Sequence, residues 1–175
     1  MKNNWSNSGA KKYIKKYKKL GFSKDLALRV YTTRLLGRNK ELVLHGGGNT
    51  SMKTSVHNIF NKKIDVMHIK GSGWDMSSID QPGLPAVELQ PLLKTKQLKK
   101  LNDFEMVNLQ RKCLINTEAP NPSVETLLHA FLPHKFIDHT HANSILGLID
   151  QPNDIEICNN GFLNLSWRLR EESNS

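Results

Sequence analysis

The chain has little cysteine. Cys113 and Cys158 are too few for a disulfide framework and too far apart for a CxxC metal or redox site. Long apolar runs are also missing. The longest aliphatic stretch, residues 145–149, falls far short of the ~18 apolar residues a membrane span needs. Lys2 is not followed by an apolar segment, so a secretory signal is not expected. These absences predict a reduced, cytoplasmic protein with no membrane partner. No internal repeat occurs, and neither GxxxxGK nor GxGxxG is present, which removes a P-loop or Rossmann nucleotide site.

Acidic residues are scarce at one end. Residues 1–40 carry 12 Lys and Arg against the single acid Asp25, whereas residues 41–175 carry 13 against 15. The net charge of +9 on 175 residues therefore belongs to an N-terminal segment attached to a near-neutral body. That distribution argues against a nucleic-acid partner, which would meet cations spread over a folded face. Residues 11–20 place Tyr13, Ile14, Tyr17 and Leu20 on one helical face among six lysines, with Gly21 as the stop. The plain expectation is a solvated helix laying its stripe on the domain. Polyanion binding through residues 11–19 is the alternative. Residues 1–10 read as a disordered end.

Ser23 caps a second predicted helix running to about Arg38, with Leu26, Ala27, Val30, Leu35 and Leu36 at core spacing. Residues 42–44 read as a short buried strand entering Gly46-Gly47-Gly48. Residues 55–60 and 64–69 form a predicted hairpin. Helices are expected over residues 89–101, from Asn102 or Asp103 to about Ile115, over residues 123–132 and near residues 142–150. A strand is expected over residues 135–141. This mixture predicts an α/β or α+β fold with a partly antiparallel sheet.

The chemistry concentrates in four places. His139-Thr140-His141, read as strand, would turn both imidazoles to one face and toward one metal ion, though surface or core histidines share that pattern. Glu125, 14 residues earlier on a helical first turn, could complete a metal shell, act as a general base, or simply complement the helix dipole. His129 lies four residues after Glu125, which also allows a local Glu–His pair. The glycine loop leads into Asn49, Thr50 and Ser51. With Gly71-Ser72-Gly73 and Ser123, these small donors suggest a pocket for a phosphorylated ligand.

Four ordered segments, LVLHGGGNTS (42–51), HIKGSGWDM (68–76), PSVETLLH (122–129) and DHTHA (138–142), resemble the class II aldolase/adducin N-terminal domain family. The nearest likeness is to its branch resembling rhamnulose-1-phosphate aldolase, often fused to a short-chain dehydrogenase. The resemblance implies a mainly antiparallel central sheet flanked by helices, a homo-oligomer (a tetramer), and zinc or another divalent metal. It implies a phosphorylated ketose as substrate, cleaved to dihydroxyacetone phosphate and an aldehyde. Carried over by motif, His139 and His141 are metal ligands and Glu125 is the catalytic acid/base. Asn49, Thr50, Ser51, Ser72, Gly73 and Ser123 fall on phosphate-cradle positions. The organisation expected is a basic extension over residues 1–22, the family domain over 23–157 and a divergent tail over 158–175.

The family's third histidine ligand lies well beyond the HxH pair, but none of the 34 residues after His141 is a histidine. The domain is therefore expected to be incomplete at its C-terminus, to bind metal weakly and to have little lyase activity alone, since a catalytic zinc needs about three protein ligands. A non-catalytic adducin-like interaction module is the alternative. An epimerase or dehydratase of the same fold is a further one.

Overall fold

The computed structural model describes residues 3–44, 46–153, 155–157 and 159–160. His45 of the glycine motif and nearly all of the tail read from Cys158 lie outside the described residues. The chain divides into two compact units, Met1–Thr140 and His141–Ser175.

The first unit opens with α1 (Asn7–Lys19) and α2 (Lys24–Gly37). Ser6 caps α1 by accepting from Gly9 N–H, and its own N–H donates to the Tyr31 hydroxyl. The Trp5 ring packs tilted against Tyr31, 5.2 Å between centroids. Within the end expected to be disordered, Trp5 and Ser6 are thus anchored, because both find a partner in Tyr31 on α2. Gly21, at φ 80°, closes α1 through Gly21 N–H to Lys18 and Phe22 N–H to Tyr17, a Schellman end. The aromatic stripe does pack inward. Tyr17 is fully buried with Leu26, Ala27, Val30, Met52, Ile79 and Leu84, flanked by Tyr13 and Ile14.

Residues 42–44 form no strand. Asn39 draws them into turns, its carbonyl accepting from Leu42 and Val43 N–H and its side chain from Glu41 N–H. The extended chain starts only after Gly46 and Gly48, both at positive φ. The hairpin is present and longer than expected, as β1 (Asn49–His57) and β2 (Lys63–Ile69). With β3 (Ala86–Glu88) and β4 (Phe136–His139), these strands form, among the described residues, an antiparallel sheet ordered β3-β2-β1-β4.

Side-chain alternation divides the sheet into two faces. Met52 points to the α1–α2 layer, and so does Thr50, whose hydroxyl meets Thr33 at 2.7 Å. Met67, Ile69 and Val87 point the other way, to a second core with Leu89, Leu92, Cys113 and Ala130. That layer contains α3 (Leu89–Lys94), α4 (Asp103–Lys112) and α5 (Thr126–Phe131). The helix expected over residues 89–101 stops early. Thr95 turns its hydroxyl back to the Leu92 carbonyl, and the chain continues only as a 3₁₀ turn, Thr95–Gln97. Asn102 and Glu105 form a capping box on α4.

β4 also stops early, at His139, which pairs with Asn49. Its partner strand offers nothing further, because Gly48 before Asn49 turns away at φ 71°. The alternation expected to carry both His139 and His141 therefore ends at the first of them. The second unit contains α6 (Asn143–Ile149), close to the helix expected there.

Candidate metal centre

A short loop and one helical turn position the acid. Ser123 N–H donates to the Lys70 carbonyl at 3.2 Å, fixing residues 120–123 beside the end of β2. The Ser123 hydroxyl accepts from Glu125 N–H at 3.3 Å, and its carbonyl accepts from Thr126 N–H at 3.0 Å. Glu125 thereby becomes the N-cap residue of α5. His129 N–H donates to the Glu125 carbonyl at 3.1 Å, so the two side chains rise from successive turns of one face. The ammonium groups of Lys53 and Lys96 donate to carbonyls at the other end of α5, at Ala130, Leu132 and Phe131.

The sheet supplies the rest. Asn49, Ser51 and His139 share the face turned to α5, since Asn49 pairs with His139 and Ser51 with Ile137. His129 is fully buried against this face, with Nδ1 2.8 Å from the Ser51 hydroxyl and Nε2 buried without a hydrogen-bond partner among the described residues. Burial pushes His129 down to about 4; Glu125 opposes that shift and His139 adds to it. At neutral pH the ring is uncharged, and if Nδ1 donates to Ser51, Nε2 presents a lone pair. His139 lies 6.3 Å from His129 between ring centroids, and its Nδ1 approaches Glu125 Oε1 at 3.2 Å.

Glu125, His129 and His139 each offer a ligand atom within 4.8 Å of the others. Bonds of ~2.0–2.2 Å to a shared ion place ligand atoms at most ~4.4 Å apart, and donors gathered within 4.8 Å of one another converge on that scale. Two imidazoles and a carboxylate suit zinc and neighbouring divalent metals. The orphaned, neutral Nε2 of His129 and the hydroxyl holding its other nitrogen are what such a ligand requires. The residues present fit a divalent ion.

Beside this group Asn49 is fully buried, and both polar atoms of its side-chain amide lack a hydrogen-bond partner among the described residues. The loops around it are stitched together by Lys70 N–H to Thr50 O at 3.1 Å and Ser72 N–H to Asn121 O at 2.9 Å. Gly48 is needed here. Beyond its positive φ, a Cβ would stand 2.8 Å from the His139 carbonyl.

The structure brings together Asn49, Ser51, Ser123, Glu125 and His139 of the residues singled out in the sequence. Ser72 and Gly73 lie exposed on the loop bonded to Asn121. Thr50 faces α2, its hydroxyl engaged by Thr33, and Ser51 is engaged by His129. His141 opens the second unit and is not among the three grouped donors. Sequence reasoning gave His129 only a local pairing with Glu125, and the i,i+4 spacing was the available signal. It passed over Lys70, which is 4% exposed and lowered by burial against the pull of Glu125 and Asp75. It also passed over Arg29, 2% exposed on the core face of α2.

Comparisons with known proteins bear on the family and the fold. The sequence model described as Class II Aldolase and Adducin N-terminal domain matches residues 27–156, leaving α1 outside the match. An uncharacterized oxidoreductase of Bacillus subtilis (strain 168), YuxG, is 40% identical over 131 residues, covering 73% of this chain. The chain spans 19% of the length of that relative. The solved N-terminal class II aldolase domain of a conserved protein from Thermoplasma acidophilum superimposes with a TM-score of 0.75 at 34% identity. That likeness covers 91% of this chain and 69% of the other.

Proposed function

The chain belongs to the class II aldolase and adducin N-terminal domain family, and we propose that it carries the metal, acid–base and phosphate groups for lyase chemistry on a ketose 1-phosphate. The observation that supports this reading most is the convergence of Glu125, His129 and His139 within 4.8 Å beside the unpartnered amide of Asn49.

Retro-aldol cleavage breaks the C3–C4 bond. It removes a proton from the C4 hydroxyl, which becomes an aldehyde, and delivers one to C3 of the departing dihydroxyacetone phosphate. Glu125, His129 and His139 would hold a divalent ion such as zinc, and His141 is a ligand by family resemblance alone. When bound, that ion supplies Lewis-acid polarisation of the substrate oxygens. Glu125 moves the proton from its N-cap place at the start of α5. Two duties compete there, because a carboxylate held permanently as a ligand cannot act freely as a base. His129 eases the competition by adding, to the nitrogen of His139 on β4, an imidazole nitrogen from the helix that Glu125 caps. Asn49, Ser72, Gly73 and Ser123 would bind the phosphate through amide, hydroxyl and backbone N–H donors. A rhamnulose-type substrate, a homotetramer and a cytoplasmic role in carbohydrate metabolism complete the proposal on resemblance alone.

The test is aldehyde release from ketose 1-phosphates by the purified chain with added zinc. Measurable cleavage lost in Glu125→Gln supports the reading. Metal uptake with no cleavage of any ketose 1-phosphate, by this chain and by a C-terminally extended version alike, would move the chain to the non-catalytic, adducin-like reading. An isomeric or dehydrated sugar product would identify an epimerase or dehydratase.

A further inference from the structure

Arg29 stands where helical spacing calls for an apolar side chain, between Leu26 and Val30 on the core face of α2, and is 2% exposed. Desolvating a guanidinium costs several kcal/mol, so its acceptors must repay it. Its Nη2 donates to Asp138 Oδ1 at 2.5 Å and to the Thr32 hydroxyl at 2.7 Å. Its Nη1 donates to the Ser51 carbonyl at 3.2 Å and to the Ile137 carbonyl at 3.5 Å. Ser51 and Ile137 are register partners. One planar group therefore spans the β1–β4 joint from the α2 side.

Two of these acceptor residues, Asp138 and Ser51, each adjoin a histidine on the opposite face. Asp138 and His139 are consecutive on β4, so a carboxylate drawn toward α2 turns the imidazole toward α5. Ser51 is held by its carbonyl from below, while its hydroxyl holds His129 Nδ1 above. Pairing alone specifies β4 weakly, since it is a four-residue strand at the sheet edge.

We infer that Arg29 is a positioning residue, fixing the rotation of β4 and the place of Ser51 so that His129 and His139 converge on one point. It touches neither metal nor substrate, and the inference rests on the family reading only where metal binding is used as a readout. Lysine cannot replace it, because a single ammonium lacks the planar fork that serves Asp138, Thr32 and two carbonyls at once.

The experiment compares imidazole ¹⁵N resonances of the metal-free full chain with those of Arg29→Lys and Asp138→Ala, and titrates each with Co²⁺. Both substitutions should shift the His129 and His139 resonances, leave His57 and His68 in place, and weaken Co²⁺ binding about tenfold or more. Asp138 is half exposed, so Asp138→Ala keeps the comparison available even where Arg29→Lys fails to fold. Unchanged His129 and His139 resonances in folded Asp138→Ala and Arg29→Lys would overturn the inference. Should the unaltered chain take up no Co²⁺, the metal reading fails, and the resonances alone decide the role of Arg29.

Discussion

The Nδ1 of His129 lies 2.8 Å from the hydroxyl of Ser51, a buried hydrogen bond that ties α5 to β1. It sets which nitrogen of the ring faces Glu125 and His139. Ser51→Ala removes that partner and leaves a buried ring nitrogen unsatisfied, at a cost of ~1–3 kcal/mol. Urea unfolding should show this loss, and Co²⁺ affinity should fall with it. An Ser51→Ala protein as stable as the parent would mean that the hydroxyl does not hold the ring.

Gly48→Ala should be more damaging than a surface glycine change. Alanine at φ 71° is strained, costing ~1–2 kcal/mol. Its Cβ would also press on the His139 carbonyl from 2.8 Å and the Met76 sulfur from 3.2 Å. Thermal unfolding should fall by several degrees, with metal affinity lowered as β4 moves. Gly46→Ala makes a useful control, because it has the same backbone strain and nothing within 4 Å of its Cβ.

Acid should weaken the attachment of α1. Burial alone would raise Asp80, but Lys16 at 2.8 Å, the Tyr17 hydroxyl and Gln81 N–H hold its carboxyl down to about 2, below the ordinary 3.8. The unfolded chain then takes up this proton more readily than the folded one. The stabilisation is present in full above the unfolded value and is lost as pH falls from about 4 toward 2. Urea midpoints measured between neutral pH and acid should therefore drop less steeply in Asp80→Asn than in the parent. Parallel pH profiles would remove Asp80 from the account.

Local patterns made much of this legible in the sequence. The Tyr13–Tyr17 stripe, Gly21, the hairpin and α5 follow from periodicity and end signals that act within a few residues. The four ordered motifs carried the family assignment. One miss is local: residues 42–44 look extended, yet Asn39 captures the N–H groups of Leu42 and Val43. The rest depends on long-range pairing. β4 ends where β1 has no further residue to offer. His129 and Ser51 are 78 residues apart, and Arg29 and Asp138 are 109 apart. No spacing rule reaches across such distances. Thr50 and Ser51 look equivalent in sequence, and only the pleat sends one to α2 and the other to α5.

The central claim is that Glu125, His129 and His139 form a divalent-metal site within this chain. Calorimetric titration of the purified chain with Zn²⁺ tests it most directly. The account predicts saturable binding of one ion per chain, strongly reduced in His139→Ala, in His129→Gln and in Glu125→Gln, each checked for a native fold by circular dichroism. No saturable uptake, or one-to-one binding that survives all three substitutions, would contradict it.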